Sequence, residues 1–231
     1  KDHGVLIPVR PDGYVFKQAH GPQTHYDGLP WWLMDMRPQG YLGRAYVAHH
    51  AANLGLPASL SAWTDAHALR ALQMHGHDLV GNVVLGLRAR DEFMSAPEPV
   101  AISHADKPAR YAELAKAAAQ GDLPGSSAGG EQPKFTACAQ TDQGPAQVLV
   151  KFTEKPDHPV TQRWRDVLWS EHLALTTLRE SGLAAAHSDC LDHEGQRFLE
   201  VIRFDRVGLW GRRALVSLQA LDAEFVGSPR S

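Results

Sequence analysis

Two hairpins bracketing one long amphipathic helix, all within residues 126–204, constrain this chain more than any other feature. Phe135-Thr136-Ala137-Cys138-Ala139 and Gln147-Val148-Leu149-Val150-Lys151-Phe152 read as strands joined by the turn Asp142-Gln143-Gly144-Pro145. Residues 163–181 carry apolar side chains at Trp164, Val167, Leu168, Leu175 and Leu178, and Gly182 ends the run. That spacing of three, four and seven predicts a helix with one packed face. Residues 187–191 and 197–204 read as another pair of strands around Glu194-Gly195. A Gly-rich entry, strand, strand, helix, strand, strand then predicts an antiparallel sheet carrying one long helix.

The first half has a different rhythm. Val5-Leu6-Ile7-Pro8-Val9 and Tyr14-Val15-Phe16 read as short strands around Pro11-Asp12-Gly13. Pro30, ahead of Trp31-Trp32-Leu33, suits the first position of a helix. Residues 44–54 and 64–74 read as helices, with Thr64-x-x-His67 offering a cap without a full capping box. Residues 77–87 read as a turn into a strand, 96–108 as a proline-rich linker, and 109–120 as a helix ended by Gly121. The expected fold class is therefore α+β: a mixed amino-terminal subdomain over 1–117, the sheet-and-helix unit over 118–204, and a closing segment over 205–231.

Composition narrows the function. At 43% hydrophobic and 21% charged residues, the chain is globular rather than disordered. A net charge of -3 gives no global basic footprint, so direct nucleic-acid binding is not expected. No apolar run is long enough to cross a membrane. Cys138 and Cys190 have neither metal-ligand spacing nor the number for a disulfide framework, which points to a reducing, cytoplasmic setting. Lys1 at the start and Gly227-Ser228-Pro229-Arg230-Ser231 at the end read as cuts, so a piece of a larger protein is expected.

Three features of the second half fit one chemistry. Ser126-Ser127-Ala128-Gly129-Gly130-Glu131-Gln132-Pro133-Lys134 is a small-residue loop whose backbone N–H groups could cradle phosphate oxygens. It lacks the Walker A pattern and leads into a strand, as the loop covering ATP phosphates does in protein kinases; a plain surface loop is the alternative. Lys151 ends an apolar strand on the face of Leu149, where a buried ammonium needs a partner, unless its head reaches solvent. Glu171 lies within the helix stripe and needs a cation there, unless it turns to Arg163, Arg165 or solvent. A strand lysine held by a helix glutamate is how kinases set the lysine on ATP phosphates.

These residues, together with Ser170-Glu171-His172-Leu173, Ser181-Gly182-Leu183 and Arg203-Phe204-Asp205-Arg206, occur in an order and spacing that resemble HipA-like kinases. These are serine/threonine kinase toxins of bacterial toxin–antitoxin pairs. Tyr26-Asp27-Gly28-Leu29-Pro30, Met36-Arg37-Pro38-Gln39-Gly40 and Asp78-Leu79-Val80-Gly81 resemble the amino-terminal subdomain of the longer, divergent branch, some members of which carry a preceding helix-turn-helix.

The resemblance implies a kinase-like small lobe over 118–204 and the start of a large lobe over 205–231. It implies Ser127 as a regulatory phosphorylation site and Ala128, Gly129 and Gly130 as the phosphate-covering loop. It implies Lys151 on ATP phosphates, Glu171 orienting it, and a hinge over 200–204. There Glu200, Ile202 and Phe204 would line the cofactor, with the Ile202 and Phe204 backbone meeting adenine, and Asp205 and Arg206 would be structural. Further implications are ATP with Mg²⁺, a protein substrate and a HipB-like DNA-binding antitoxin. The catalytic aspartate and the metal ligands are not found here; Asp222 and Glu224 sit in Leu221-Asp222-Ala223-Glu224-Phe225, which reads as a helix. A non-catalytic kinase-fold module that binds an antitoxin or DNA is the alternative, and a small-molecule kinase is a third reading.

Other clusters read more plainly. His49-His50 and His75-Gly76-His77-Asp78 lack a His-Glu-x-x-His pattern, and Ser127 lacks a nucleophile elbow. Arg203, Arg206, Arg212 and Arg213 read as a solvated basic face, with contact to nucleic acid or an acidic partner as the alternative.

Overall fold

The computed structural model describes residues 6–10, 13–14, 26–120 and 129–227. The first half holds a small antiparallel sheet in the order β2-β1-β3, from β1 (Leu6–Arg10), β2 (Gly13–Tyr14) and β3 (Val83–Leu85). Helices α1 (Gly40–Leu54), α2 (Asp65–His75) and α3 (Leu87–Ser95) accompany it. Tyr46, Val47, Ala51, Leu54, Trp63 and Ala71 form one core, and Leu29, Leu33, Met36, Leu72, Leu79 and Leu85 another.

Several local expectations change. Pro30 precedes a six-residue 3₁₀ helix, Trp31–Met36, rather than opening an α-helix. The box at Thr64 is complete: Thr64 Oγ1 accepts from His67 N, and His67 Nδ1 accepts from Thr64 N at 3.1 Å. A histidine ring nitrogen thus does what a glutamate carboxylate does in the usual box. The strand expected to reach Leu87 stops at Leu85, because Gly86 turns the chain at φ +94° and α3 follows. Only Ala89 and Phe93 of α3 are buried.

The second half is built on a four-stranded antiparallel sheet in the order β4-β5-β7-β6, namely β4 (Lys134–Thr141), β5 (Gly144–Phe152), β6 (Ser188–His193) and β7 (Gln196–Ile202). One face carries α4 (Lys107–Gln120): Tyr111, Ala115 and Ala118 pack on Phe135, Val148, Val150 and Phe198. Strand alternation puts Lys151 on the opposite face from Val150, and there it meets α5 (Pro159–Glu180). Helix α4, which spans the expected 117/118 break, therefore packs against this sheet along its length. Pro108 is no obstacle, since a first helical turn tolerates proline. Residues 100–103 run beside β4 through the Ile102–Ala139 bridge.

The stripe of α5 is only partly covered. Leu168 is 1% exposed, whereas Trp164, Val167 and Leu178 are exposed at 45%, 47% and 41%. The buried line runs through Thr161 and Leu168 instead, and Glu171 sits between it and the open apolar edge. His158 caps the helix, its ring Nδ1 accepting from Val160 N and Thr161 N, which moves the start ahead of residue 163. Beyond β7 come a short hairpin, β8 (Arg206–Val207) and β9 (Gly211–Arg212), and α6 (Leu218–Leu221), which runs on into a π-type turn over Asp222–Val226.

Candidate functional site

Lys151 and Glu171 meet. Both Glu171 oxygens lie 2.7 Å from Lys151 Nζ, and the side chains are 19% and 32% exposed. The pair is partly shielded from water yet reachable from it. The competing partners are engaged elsewhere: Arg165 binds Asp157 and Gly195 O, and Arg163 turns to Pro159 O.

The glycine loop arrives at the same face. Ser127 and Ala128 lie outside the described residues; Gly129 and Gly130 do not. Gly130 has φ +96°, a conformation open to glycine and costly for a side chain. Its carbonyl accepts from Tyr41 N, in the first turn of α1, and from Lys134 Nζ, both at 3.1 Å. The fit is close: a Cβ added to Gly40 would stand 2.4 Å from Gly130 O. Lys134 also donates to Gly129 O at 2.5 Å. The β4–β5 register sets Lys134 directly opposite Lys151. Burial, then the neighbouring Lys151 charge, pushes the Lys134 ammonium down to about 8. Lys134 is the site residue that motif reading passes over; its signal is the parity that puts it level with Lys151 once the hairpin register is drawn.

The expected hinge residues divide. Glu200 points to the α4 face, where its carboxylate accepts from Lys107 Nζ at 2.7 Å and from Tyr111 OH at 2.5 Å, all three being buried. Its side chain is therefore a structural anchor on the face opposite Lys151. Ile202 N donates to His187 O at 2.8 Å and is thus already paired within the sheet. Phe204 follows the strand and is 66% exposed.

Of the four clustered arginines only Arg213 is exposed, so the cluster as a whole is not the solvated face expected. Arg203, Arg206 and Arg212 are buried. Asp205 accepts from Arg203 Nε and Nη2 at 3.1 and 3.0 Å, from Arg206 Nη1 at 2.6 Å, and from Gly81 N at 2.9 Å. Arg206 Nη2 reaches Asp78 at 2.9 Å and Leu79 O at 2.5 Å, and Arg212 donates to His77 O at 2.6 Å. Burial alone would raise the Asp78 and Asp205 carboxyls, but the surrounding guanidiniums hold both below their ordinary range.

Residues 1–94 match the model of the YjjJ-like toxin, middle domain, and residues 126–224 match that of the HipA-like C-terminal domain. The chain is 42% identical over 214 residues to Toxin YjjJ of Escherichia coli (strain K12), a span covering 92% of this chain and 48% of that protein. The chain belongs to the HipA-like toxin family.

In this HipA-like chain, the two matched segments are tied together by the buried ion network. Asp78, Leu79 and Gly81 come from the first, and Arg203, Asp205, Arg206 and Arg212 from the second. The chain spans about half the length of the curated relative it matches. The histidines pack within the first segment: Tyr46 OH lies 2.9 Å from His75 Nδ1, and the His50 ring stacks on His75 at 4.1 Å. Burial, helped by His75 and His49, lowers His50 to about 4, so it is neutral near pH 7. Among the described residues of this HipA-like protein, no group of three His, Cys, Asp or Glu side chains is placed to hold a metal ion, and no helix is long and apolar enough to cross a membrane.

Proposed function

We propose that this HipA-like chain is the nucleotide-binding half of a serine/threonine protein kinase of a toxin–antitoxin pair. The observation that carries this reading is the bidentate Lys151–Glu171 pair, partly shielded from water but still reachable from it. An ammonium that gives two of its three N–H groups to one carboxylate keeps the third for a second anion, and phosphoryl transfer relies on such positioned charge. The residues present suit a nucleotide. Lys151 would hold the phosphate chain, Glu171 would keep Lys151 in place, and the Gly129–Gly130 backbone would approach without side-chain obstruction. Ser127 and Ala128 would extend that loop, with Ser127 as its regulatory phosphorylation site. The base would lie at the backbone near Phe204, since the Ile202 N–H is taken. Bound ATP would supply the γ-phosphoryl group for transfer to a protein acceptor, and Mg²⁺ would supply charge neutralisation for its phosphates. This reading assigns the Mg²⁺ ligands and the general base to no residue of this chain. A HipB-like antitoxin is the partner it implies, in a cytoplasmic setting.

The test is titration of the chain with Mg²⁺ and ATP by calorimetry. The reading predicts saturable binding and, for Lys151→Ala, a loss of about tenfold or more, the scale of one charge-assisted hydrogen bond. Equal affinity in the two proteins sinks it.

A further inference from the structure

Lys134 has no role in the reading above, yet its surroundings are unusual for a lysine. It is 2% exposed, and among the described residues it forms no ion pair. A buried ammonium without a counter-charge is costly and calls for strong acceptors. Its acceptors are two consecutive carbonyls of the glycine loop, Gly129 O and Gly130 O, and Tyr41 N–H holds the second from the other side. The groups facing it are Lys151 from β5, Glu171 from α5, Glu131 from the loop with its partner Arg44, and Tyr41 from α1. In a trans peptide the C=O and the following N–H point to opposite sides. Drawing the Gly129 and Gly130 carbonyls to Lys134 thus turns the N–H groups of Gly130 and Glu131 away from it.

We propose that Lys134 is a positioning residue of the nucleotide site: as an ammonium it holds the Gly129 and Gly130 carbonyls and so aims the Gly130 and Glu131 N–H groups at the phosphate chain. This rests on the nucleotide reading of the Lys151–Glu171 pair. The role belongs to the charged form. Because burial and Lys151 lower Lys134 to about 8, the loop should lose its anchor within the mildly alkaline range.

The experiment uses the 231-residue chain with two variants, Lys134→Met, which keeps the length and removes the charge, and Lys134→Arg, which keeps the charge. Backbone amide resonances of Gly130 and Glu131 are followed between about pH 6.5 and 9.5 by nuclear magnetic resonance. Affinities for ATP and for adenosine are measured alongside, and thermal melting confirms that each variant folds. The proposal predicts that both amides titrate near the Lys134 transition in the parent and not in Lys134→Met. It also predicts that Lys134→Met weakens ATP about tenfold while leaving adenosine within about twofold, and that Lys134→Arg restores part of the loss. Amides indifferent to pH and to Lys134→Met overturn it, as does equal weakening of ATP and adenosine. If Lys151→Ala weakens ATP and Lys134→Met does not, this proposal alone fails. If the parent binds no ATP, the nucleotide reading fails and this role with it.

Discussion

Asp205→Ala lowers the stability of the chain by about 3–5 kcal/mol, the cost of stranding buried charge when one partner is removed. For a protein of this size that is a fall of roughly 6–20 °C in melting temperature. The reason is local. Asp205 takes four hydrogen bonds, three from Arg203 and Arg206 and one from the Gly81 N–H, in a place where water cannot replace it. Its removal leaves guanidiniums that have already given up their hydration. Because Gly81 belongs to the amino-terminal half, the loss also loosens one half of the chain from the other. The same network sets an acid limit. Asp205 and Asp78 titrate below their ordinary values when folded, so their stabilisation is complete above the unfolded value of about 3.9. It is lost as pH falls through the lower, folded-state values. Acid melts of parent and Asp205→Ala should therefore converge at low pH; a gap that persists unchanged contradicts this linkage.

Glu200→Ala carries a loss of the same order, about 3–5 kcal/mol, for a different part of the core. Lys107, Tyr111 and Glu200 are 5%, 0% and 3% exposed, so the triad is closed to water. Alanine at 200 strands the Lys107 ammonium, which must then deprotonate or open the α4–sheet contact. Replacing Lys107 as well, in Lys107→Met with Glu200→Leu, should recover most of the loss, because a well-packed apolar pair often matches a buried ion pair. Urea unfolding of the single and double variants checks this. A Glu200→Ala loss under about 1 kcal/mol would mean that the triad adds little to the fold.

Much of the second half is legible in the sequence because its signals are local. Hairpin turns, a helical period and a strand lysine 20 residues ahead of a helix glutamate need no knowledge of distant residues. What the sequence hides depends on distant partners or on register. Arg203, Arg206 and Arg212 look like a surface patch because Asp78 and the backbone of His77, Leu79 and Gly81, which complete their burial beside Asp205, lie more than a hundred residues away in the chain. Lys134 gains a role only once the register places it beside Lys151 and under two carbonyls. The direction of the Glu200 side chain is set by strand parity, which sends it to the face held by Lys107 and Tyr111. Helix α3 escapes for another reason: with only Ala89 and Phe93 buried, nine residues give almost no period to read.

The most direct test of the nucleotide site is a double-mutant cycle on Mg²⁺–ATP affinity using Lys151→Ala, Glu171→Ala and the pair together. If Glu171 acts by holding Lys151, each single change weakens binding by about tenfold or more, and the double variant is no weaker than the worse single one. Losses that simply add would make the two residues independent, and unchanged affinity in all three would contradict a nucleotide site at this pair.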